Sequence, residues 1–278
     1  MVNCFGLSAF TSIHLLACSV SNRLDREQAV QALNFDILPA TEYGKRIQAG
    51  RDAQGIVAGQ AVSSDDPVLA KTYGEFPLES FDILIDAAIK HLPQTSGKSL
   101  QFVDVGSGCG RLCLYTALTR GDATTNTSWN PWQVHGIEIY DILHEEATRA
   151  KDAGFEKGWL QESQGDEDDD DNDTAVANSL SLHLGPAEDF SDSILKRADL
   201  IFAYCTTWTN SGFSPDISAM ILSDEWNRLF SDSCKPGCVV VTTDRALDPK
   251  YGWKVLDRLD VANPEVMEST GFVQILEK

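Results

Sequence analysis

The chain has 278 residues, of which 42% are hydrophobic and 23% charged, as in an ordinary globular protein. This length allows one large domain or two small ones, with a core that needs no disulfide support. A formal charge of −20, from 42 acidic and 22 basic residues, argues against nucleic-acid binding through a basic surface. Cationic partners or small molecules are favoured instead.

The seven cysteines are scattered and show no CxxC spacing. That pattern argues against a disulfide framework and against a structural metal site, and it indicates a reducing compartment such as the cytoplasm or nucleus. No apolar run reaches the roughly 18 residues that a membrane-spanning helix needs. We therefore expect an intracellular protein without a membrane partner.

Residues 1–70 are predicted to form an N-terminal extension with a helix at 24–35 and a linker or mobile loop at 50–66. The first 24 residues are rich in Ser and contain no acidic residue, which is a feature of cleavable targeting segments. They lack the positively charged start of such segments, so an ordinary amphipathic segment is the favoured alternative.

From about residue 97, short apolar runs alternate with helical patterns, which is typical of a parallel sheet covered by helices. Seven strands are predicted, at 99–106, 132–139, 179–185, 198–204, 238–244, 253–262 and 272–278. The remaining helices are predicted at 77–92, 110–120, 141–154, 187–197 and 214–234. A loop without a helical pattern separates the last two strands, so a final antiparallel strand is expected in this α/β fold.

An acidic block interrupts this alternation. Seven of the eight residues from Asp166 to Asp173 are acidic. Because clustered like charges resist ordering, residues 163–178 are predicted to be an exposed disordered insertion. An electrostatic tether for a basic partner is the alternative.

The segment FVDVGSGCGR, residues 102–111, carries the strongest chemical signal. It reads as a strand with an acid, Asp104, followed by a glycine loop that opens a helix. Gly106 permits a tight turn, Gly108 (after Ser107) lets a ligand approach the backbone, and Gly110 lets the helix pack on the strand. The third glycine of the GxGxxG dinucleotide fingerprint is missing, which disfavours NAD.

This arrangement resembles the first motif of the seven-strand S-adenosylmethionine-dependent methyltransferases. The resemblance implies a Rossmann-like fold and S-adenosylmethionine as cofactor, with the loop passing its methionine moiety. Glu138 ends the second strand, where a carboxylate can accept hydrogen bonds from both ribose hydroxyls. After the third strand the family places an acid on the adenine amine and a ring against its face. Glu188 or Asp189 and then Phe190 occupy those positions, with helix capping as the alternative for either acid.

The fourth strand delivers its C-terminal end to the crevice where parallel sheets bind ligands. Tyr204, Thr206 and Trp208 are therefore predicted to face the cofactor's methyl group and its acceptor. An aromatic channel there would lower the pKa of an amine acceptor by desolvation. For Tyr204 and Trp208, a role as core or rim aromatics is the alternative.

TYGE at 72–75, followed by a helix, resembles the disruptor-of-telomeric-silencing family, which methylates a lysine of the nucleosomal histone core. The resemblance covers about residues 70–250 and implies a methyltransferase domain at 71–278. It also implies that Tyr73, Gly74 and Glu75 close over the cofactor, with Glu75 near the methionine end. The family's Asn pair after the fourth strand is replaced here, so its acceptor pocket is rebuilt.

The expected function is S-adenosylmethionine-dependent methyl transfer, with a protein lysine as acceptor. A small-molecule methyltransferase and an inactive cofactor-binding partner protein are the alternatives, and a nicotinamide oxidoreductase is a distant one.

Overall fold

The computed structural model describes residues 24–53, 73–93, 99–120, 132–160 and 179–277. Its strands are β1 Leu100–Val105, β2 Trp132–Glu138, β3 Ser179–Leu184, β4 Leu200–Ala203, β5 Asn210–Ser214, β6 Ala219–Leu222, β7 Val239–Thr243, β8 Trp253–Asn263 and β9 Met267–Leu276. Seven of them form one sheet in the order β3-β2-β1-β4-β7-β9-β8, and β5 pairs with β6 in a separate hairpin.

The main sheet confirms the predicted fold class. Neighbouring strands from β3 to β7 are parallel, whereas β9 runs antiparallel to both β7 and β8. The order β3-β2-β1-β4-β7 is that of a doubly wound, Rossmann-like sheet, whose ligands bind where the order reverses beside the first strand. All seven predicted strands are present, although β9 begins at Met267 and not at residue 272.

Six α-helices are described: α1 Arg26–Gln31, α2 Tyr43–Ala53, α3 Leu78–Ile89, α4 Arg111–Thr119, α5 Asp141–Glu156 and α6 Asp224–Ser233. A π-helical segment, Ala32–Ile37, continues α1. α2 was not predicted, and it includes the first residues of the predicted linker at 50–66. The rest of that linker, the N-terminal residues 1–23 and the predicted acidic insertion lie outside the described residues.

The predicted helix at 214–234 is wrong in its first half. Residues up to Leu222 belong to the β5–β6 hairpin, and α6 begins only at Asp224. Ser218, with φ of 50°, turns the chain between the two strands, so a continuous helix cannot form there. The apolar run 219–222 pairs with β5 instead of forming a helical face.

The predicted helix at 187–197 is also corrected. Two short 3-10 helices, Ala187–Phe190 and Leu195–Arg197, replace it. Ser and Asp side chains compete for backbone hydrogen bonds, which explains why this Ser- and Asp-rich segment does not sustain an α-helix.

The N-terminal helices share the main core. Ala29 and Leu33 are fully buried in the same cluster as Phe81, Leu84 and Ile85 of α3. One face of α3 is thus buried in this core, and each buried Leu, Ile or Phe side chain contributes about 1.5–3 kcal/mol. Across the described ranges, no helix combines the length and apolar character that a membrane span requires.

Candidate active site

The glycine loop leaves β1 at Gly106 in a conformation that other residues rarely adopt. Gly106, Gly108 and Gly110 have φ of 79°, 56° and 74°. The N–H groups of Gly106 and Ser107 both donate to the Ile137 carbonyl, at 2.9 and 3.0 Å. Two bonds to the end of β2 therefore fix the loop before α4 begins.

Glu138 connects the loop to the tip of β2. Its Oε2 accepts from the Gly108 N–H at 2.7 Å, and its Oε1 accepts from the Tyr140 N–H at 2.8 Å. The side chain is buried, and this burial raises the pKa of its carboxyl. Each oxygen keeps a second lone pair, so the carboxylate can still accept from the hydroxyls of a ligand.

A cavity of about 470 Å³ lies above this loop. Three carboxylates line it, those of Glu138, Glu188 and Glu225. Its aromatic lining consists of Tyr73, Tyr140, Tyr204, Trp208 and Trp226. Among the described residues of the lining, none is Lys, Arg or His. The cavity is therefore acidic and aromatic, and it is large enough for a nucleoside-sized ligand.

The structure brings eight of the predicted site residues to this cavity: Tyr73, Gly74, Gly106, Gly108, Glu138, Glu188, Tyr204 and Trp208. The other predicted residues lie around it, not on its surface: Glu75, Asp104, Ser107, Gly110, Asp189, Phe190 and Thr206. Of the two acids after β3, Glu188 is the one that lines the cavity. The Phe190 ring instead packs 5.3 Å from the His183 ring.

Asp104 lies beneath the loop, with 2% of its surface exposed. Burial raises the pKa of its carboxyl to about 7, and the nearby charge of Glu138 adds to the rise. The Cys113 thiol donates a weak hydrogen bond to it at 3.7 Å. At neutral pH this acid is therefore only partly ionised.

Tyr73 covers the loop. A Cβ at Gly108 would lie 2.5 Å from Cε2 of Tyr73, so the ring rests directly on the glycine backbone. The Tyr73 hydroxyl donates to Glu75 at 2.9 Å and lies 2.7 Å from Sγ of Cys109. Only a glycine at position 108 allows this contact.

Glu75 turns away from the cavity, contrary to the expectation that it faces the ligand. Its carboxylate pairs with Arg46 through two hydrogen bonds of 2.6 and 3.2 Å, and Arg111 lies 3.5 Å away. The Arg46 side chain is only 4% exposed, and a buried guanidinium requires a counter-charge. Glu75 supplies that charge and so anchors the segment that covers the loop.

Tyr204 is held by the turn between β8 and β9. Its hydroxyl accepts from Nδ2 of Asn263 at 3.0 Å and donates to Oε2 of Glu265 at 3.5 Å. Burial raises the pKa of the Tyr204 phenol. The other oxygen of Glu265 accepts from the Tyr43 hydroxyl at 2.7 Å and from the Glu75 N–H at 3.1 Å.

Trp208 forms the opposite wall with Trp226. The two rings stack at 4.1 Å with an interplanar angle of 23°. Trp208 also lies 3.4 Å from the position of a Cβ at Gly106, so it covers the start of the loop. Thr206 does not reach the cavity, because its hydroxyl is bound to Asp244.

Sequence reasoning missed Glu225, Trp226, Arg46, Asn263 and Glu265. Glu225 and Trp226 fell inside a helix that was predicted to start too early, although an acid and an aromatic in the first turn of α6 are visible in the sequence. The other three gave no local signal, because their partners are distant along the chain: Tyr43 and Glu265 are 222 residues apart.

No protein-family model matches the chain, and no curated protein does either. Among solved structures, it is similar to an RNA methyltransferase from Salinibacter ruber in complex with S-adenosyl-L-homocysteine. Identity is 16% and the TM-score 0.42, over 74% of this chain and 95% of that one. It is also similar to an S-adenosylmethionine-dependent methyltransferase from Thiobacillus denitrificans in complex with S-adenosyl-L-homocysteine. There, identity is 12% and the TM-score 0.42, over 87% of this chain and all of that one.

Proposed function

We propose that this protein is an S-adenosylmethionine-dependent methyltransferase. The observation that carries the proposal is the hydrogen bond from Gly108 to Glu138 at the rim of an acidic, aromatic cavity. A pyrophosphate ligand is favoured by nearby Arg or Lys, and the described lining has neither. A sulfonium cation, by contrast, is attracted to carboxylates and to the faces of aromatic rings.

Each part of the cavity suits one part of this cofactor. Glu138 has spare lone pairs for the ribose hydroxyls, and Glu188 would accept from the adenine amine. Gly106 and Gly108 permit close approach of the methionine moiety, with Tyr73 and Gly74 above it. Asp104, Ser107, Gly110, Asp189 and Phe190 would support these groups from behind.

We propose a lysine amine of a protein as the methyl acceptor. Tyr204, Trp208 and Trp226 would surround the amine with aromatic surface, which favours its neutral, nucleophilic form. Glu225 and the formal charge of −20 would attract a basic substrate. The protein contributes alignment for an in-line displacement and exclusion of water.

Ligand binding tests the cofactor. We expect S-adenosylhomocysteine to raise the melting temperature, because a ligand at a hundred times its Kd adds about 2.7 kcal/mol to stability. NAD at the same concentration should leave the melting temperature unchanged. Stabilisation by NAD and not by S-adenosylhomocysteine would refute the proposal.

Transfer of a radiolabelled methyl group to a cell extract tests the acceptor. Label in protein that is recovered as methyl-lysine supports the lysine assignment. Label in the small-molecule fraction would instead identify a small-molecule methyltransferase. Binding of S-adenosylhomocysteine without any transfer would identify an inactive partner protein.

A further inference from the structure

We propose that Glu265 receives, through the hydroxyl of Tyr204, the proton that an amine acceptor must lose before it is methylated. This inference rests on the proposed function and assigns a role to the turn between β8 and β9. Glu265 acts through Tyr204, as a positioning residue. Tyr204 is the group that would touch the substrate.

The hydrogen bonds around Tyr204 determine which partner its hydroxyl accepts from and which partner it donates to. Asn263 is buried, and its Nδ2 donates both to the Tyr204 oxygen at 3.0 Å and to Oγ of Ser269 at 2.9 Å. Its Oδ1 accepts from the Glu265 N–H at 3.2 Å, which fixes the orientation of the amide. Tyr204 therefore accepts from Asn263 and directs its own hydrogen toward Glu265.

These directions leave one acceptor position on the Tyr204 oxygen; Thr206 lies within reach of it but directs its hydroxyl hydrogen to Asp244. A phenol oxygen can accept two hydrogen bonds, and Asn263 uses one of them. Tyr204 lines the cavity, so an N–H of the substrate can occupy the second. The site thus suits an acceptor that donates a hydrogen bond, as an amine does.

Glu265 is placed to pass a proton to solvent. Its side chain is exposed at the outer end of the turn, whereas Tyr204 is half-buried. Its three donors, the Tyr43 hydroxyl, the Glu75 N–H and the Tyr204 hydroxyl, are neutral, so none of them cancels its charge. The hydrogen-bonded chain therefore leads from the cavity to an exposed carboxylate, and its 3.5 Å link between Tyr204 and Glu265 must shorten when the proton passes.

Two other charged groups lie near this chain of hydrogen bonds: one is neutralised by an ion pair, and the other changes the pKa of Tyr204. On α2, Arg46 lies 5.9 Å from the Tyr43 ring, but Glu75 neutralises it. Beyond β7, the charge of Asp244 helps to raise the pKa of Tyr204. A phenol that resists ionisation passes a proton on only when it receives one at the same time.

An ammonium acceptor gives one proton to the Tyr204 oxygen while the Tyr204 hydroxyl proton moves to Glu265, which releases it to water. The neutral nitrogen then forms a bond to the methyl carbon. The carbon–sulfur bond breaks with its electron pair going to sulfur, so the products are a methylammonium group and a thioether.

The test compares Glu265→Gln with wild type, using n-butylamine and poly-L-lysine as acceptors. The matched control is Glu268→Gln, which removes an exposed carboxylate from the same hairpin. At saturating cofactor and pH 7 we expect Glu265→Gln to reduce the methylation rate about tenfold or more. The deficit should shrink toward pH 10, because a free lysine-type amine has a pKa of about 10.4 and about 30% of it is then already neutral on arrival.

Tyr204→Phe should show the same pH dependence, and Glu268→Gln should follow wild type. A second measurement needs no turnover: absorbance of tyrosinate should show that Glu265→Gln lowers the pH at which Tyr204 ionises. Tyr204→Phe identifies that transition by removing it.

A rate deficit for Glu265→Gln that is equal at every pH would overturn the proposal, since it would indicate a purely structural contact. An unchanged Tyr204 transition would do the same. If wild type binds S-adenosylhomocysteine but methylates neither amine, the proton route is refuted while the cofactor site stands. Absence of S-adenosylhomocysteine binding would refute the proposed function itself.

Discussion

The main-chain N–H of Gly108 donates a 2.7 Å hydrogen bond to Oε2 of Glu138. This bond joins the loop after β1 to the tip of β2, across 30 residues of sequence. One carboxylate thus holds the loop in place and also faces the cavity. Disturbing it should affect both the shape of the loop and the affinity for a ligand.

Glu138→Gln should lower the affinity for S-adenosylhomocysteine at least about tenfold. A glutamine has one acceptor oxygen, whereas Glu138 accepts from the N–H groups of both Gly108 and Tyr140. One N–H would then face an amide NH₂, at a cost of about 1–3 kcal/mol. Calorimetric titration and urea unfolding measure the two effects. Glu145→Gln, on the exposed surface of α5, is the control and should behave as wild type.

Gly108→Ala should abolish detectable binding of S-adenosylhomocysteine. The new methyl group would lie 2.5 Å from the Tyr73 ring and would displace it. Gly158→Ala is a matched control, because Gly158 has φ of 73° but no atom within 4 Å of an added Cβ. Both variants carry backbone strain of about 1 kcal/mol, and only the first disturbs the site. Equal loss of binding in the two variants would contradict this account.

Glu75→Ala should destabilise the fold, by about 3 kcal/mol, because it leaves the buried guanidinium of Arg46 without a counter-charge. From the sequence alone, we would expect weaker cofactor binding with an intact fold. Urea unfolding distinguishes these outcomes. Glu79→Ala, which removes an exposed side chain from the otherwise buried first turn of α3, should change stability by less than about 0.5 kcal/mol. The double variant Arg46→Ala/Glu75→Ala should lose less stability than the sum of the single variants.

Asp104→Asn should stabilise the ligand-free protein relative to wild type, and the difference should grow as the pH rises. Burial raises the pKa of Asp104 from its usual 3.8 to about 7. Between these values the unfolded chain has lost the proton that the folded protein retains. The contribution of this group to the free energy of unfolding of the wild type therefore falls as the pH rises, by up to about 1.4 kcal/mol per pH unit. Urea unfolding at pH 5, 6.5 and 8 measures the difference, and a constant value would argue against a raised pKa.

Most of the sheet could be predicted from the sequence because its buried strands are short, continuous apolar runs. The β5–β6 hairpin could not, since the apolar residues Ala219–Leu222 fit a helix as well as a strand. These residues form a strand because the chain turns at Ser218 and because Ile221 bridges to Ala246. Both interactions exist only in the folded chain.

The residues of the candidate site also fall into two groups, those that local sequence patterns predict and those that depend on distant parts of the chain. Gly106, Gly108 and Glu138 follow directly from strand ends, so local patterns were enough to find them. The position of Glu75 could not be predicted, because it depends on a buried Arg46 contributed by a separate helix. Asn263 and Glu265 were missed because a turn of no unusual composition carries them to Tyr204.

The antiparallel course of β9 has a consequence for folding. Because β9 begins at the carboxyl edge of the sheet, the preceding turn with Asn263 and Glu265 lies at that edge, where Glu265 contacts Tyr43 over 222 residues. Contacts between such distant parts of a chain form slowly, because the entropy of closing the loop is lost before the contact is gained. We therefore expect the cofactor side of the site to assemble early and the acceptor side late.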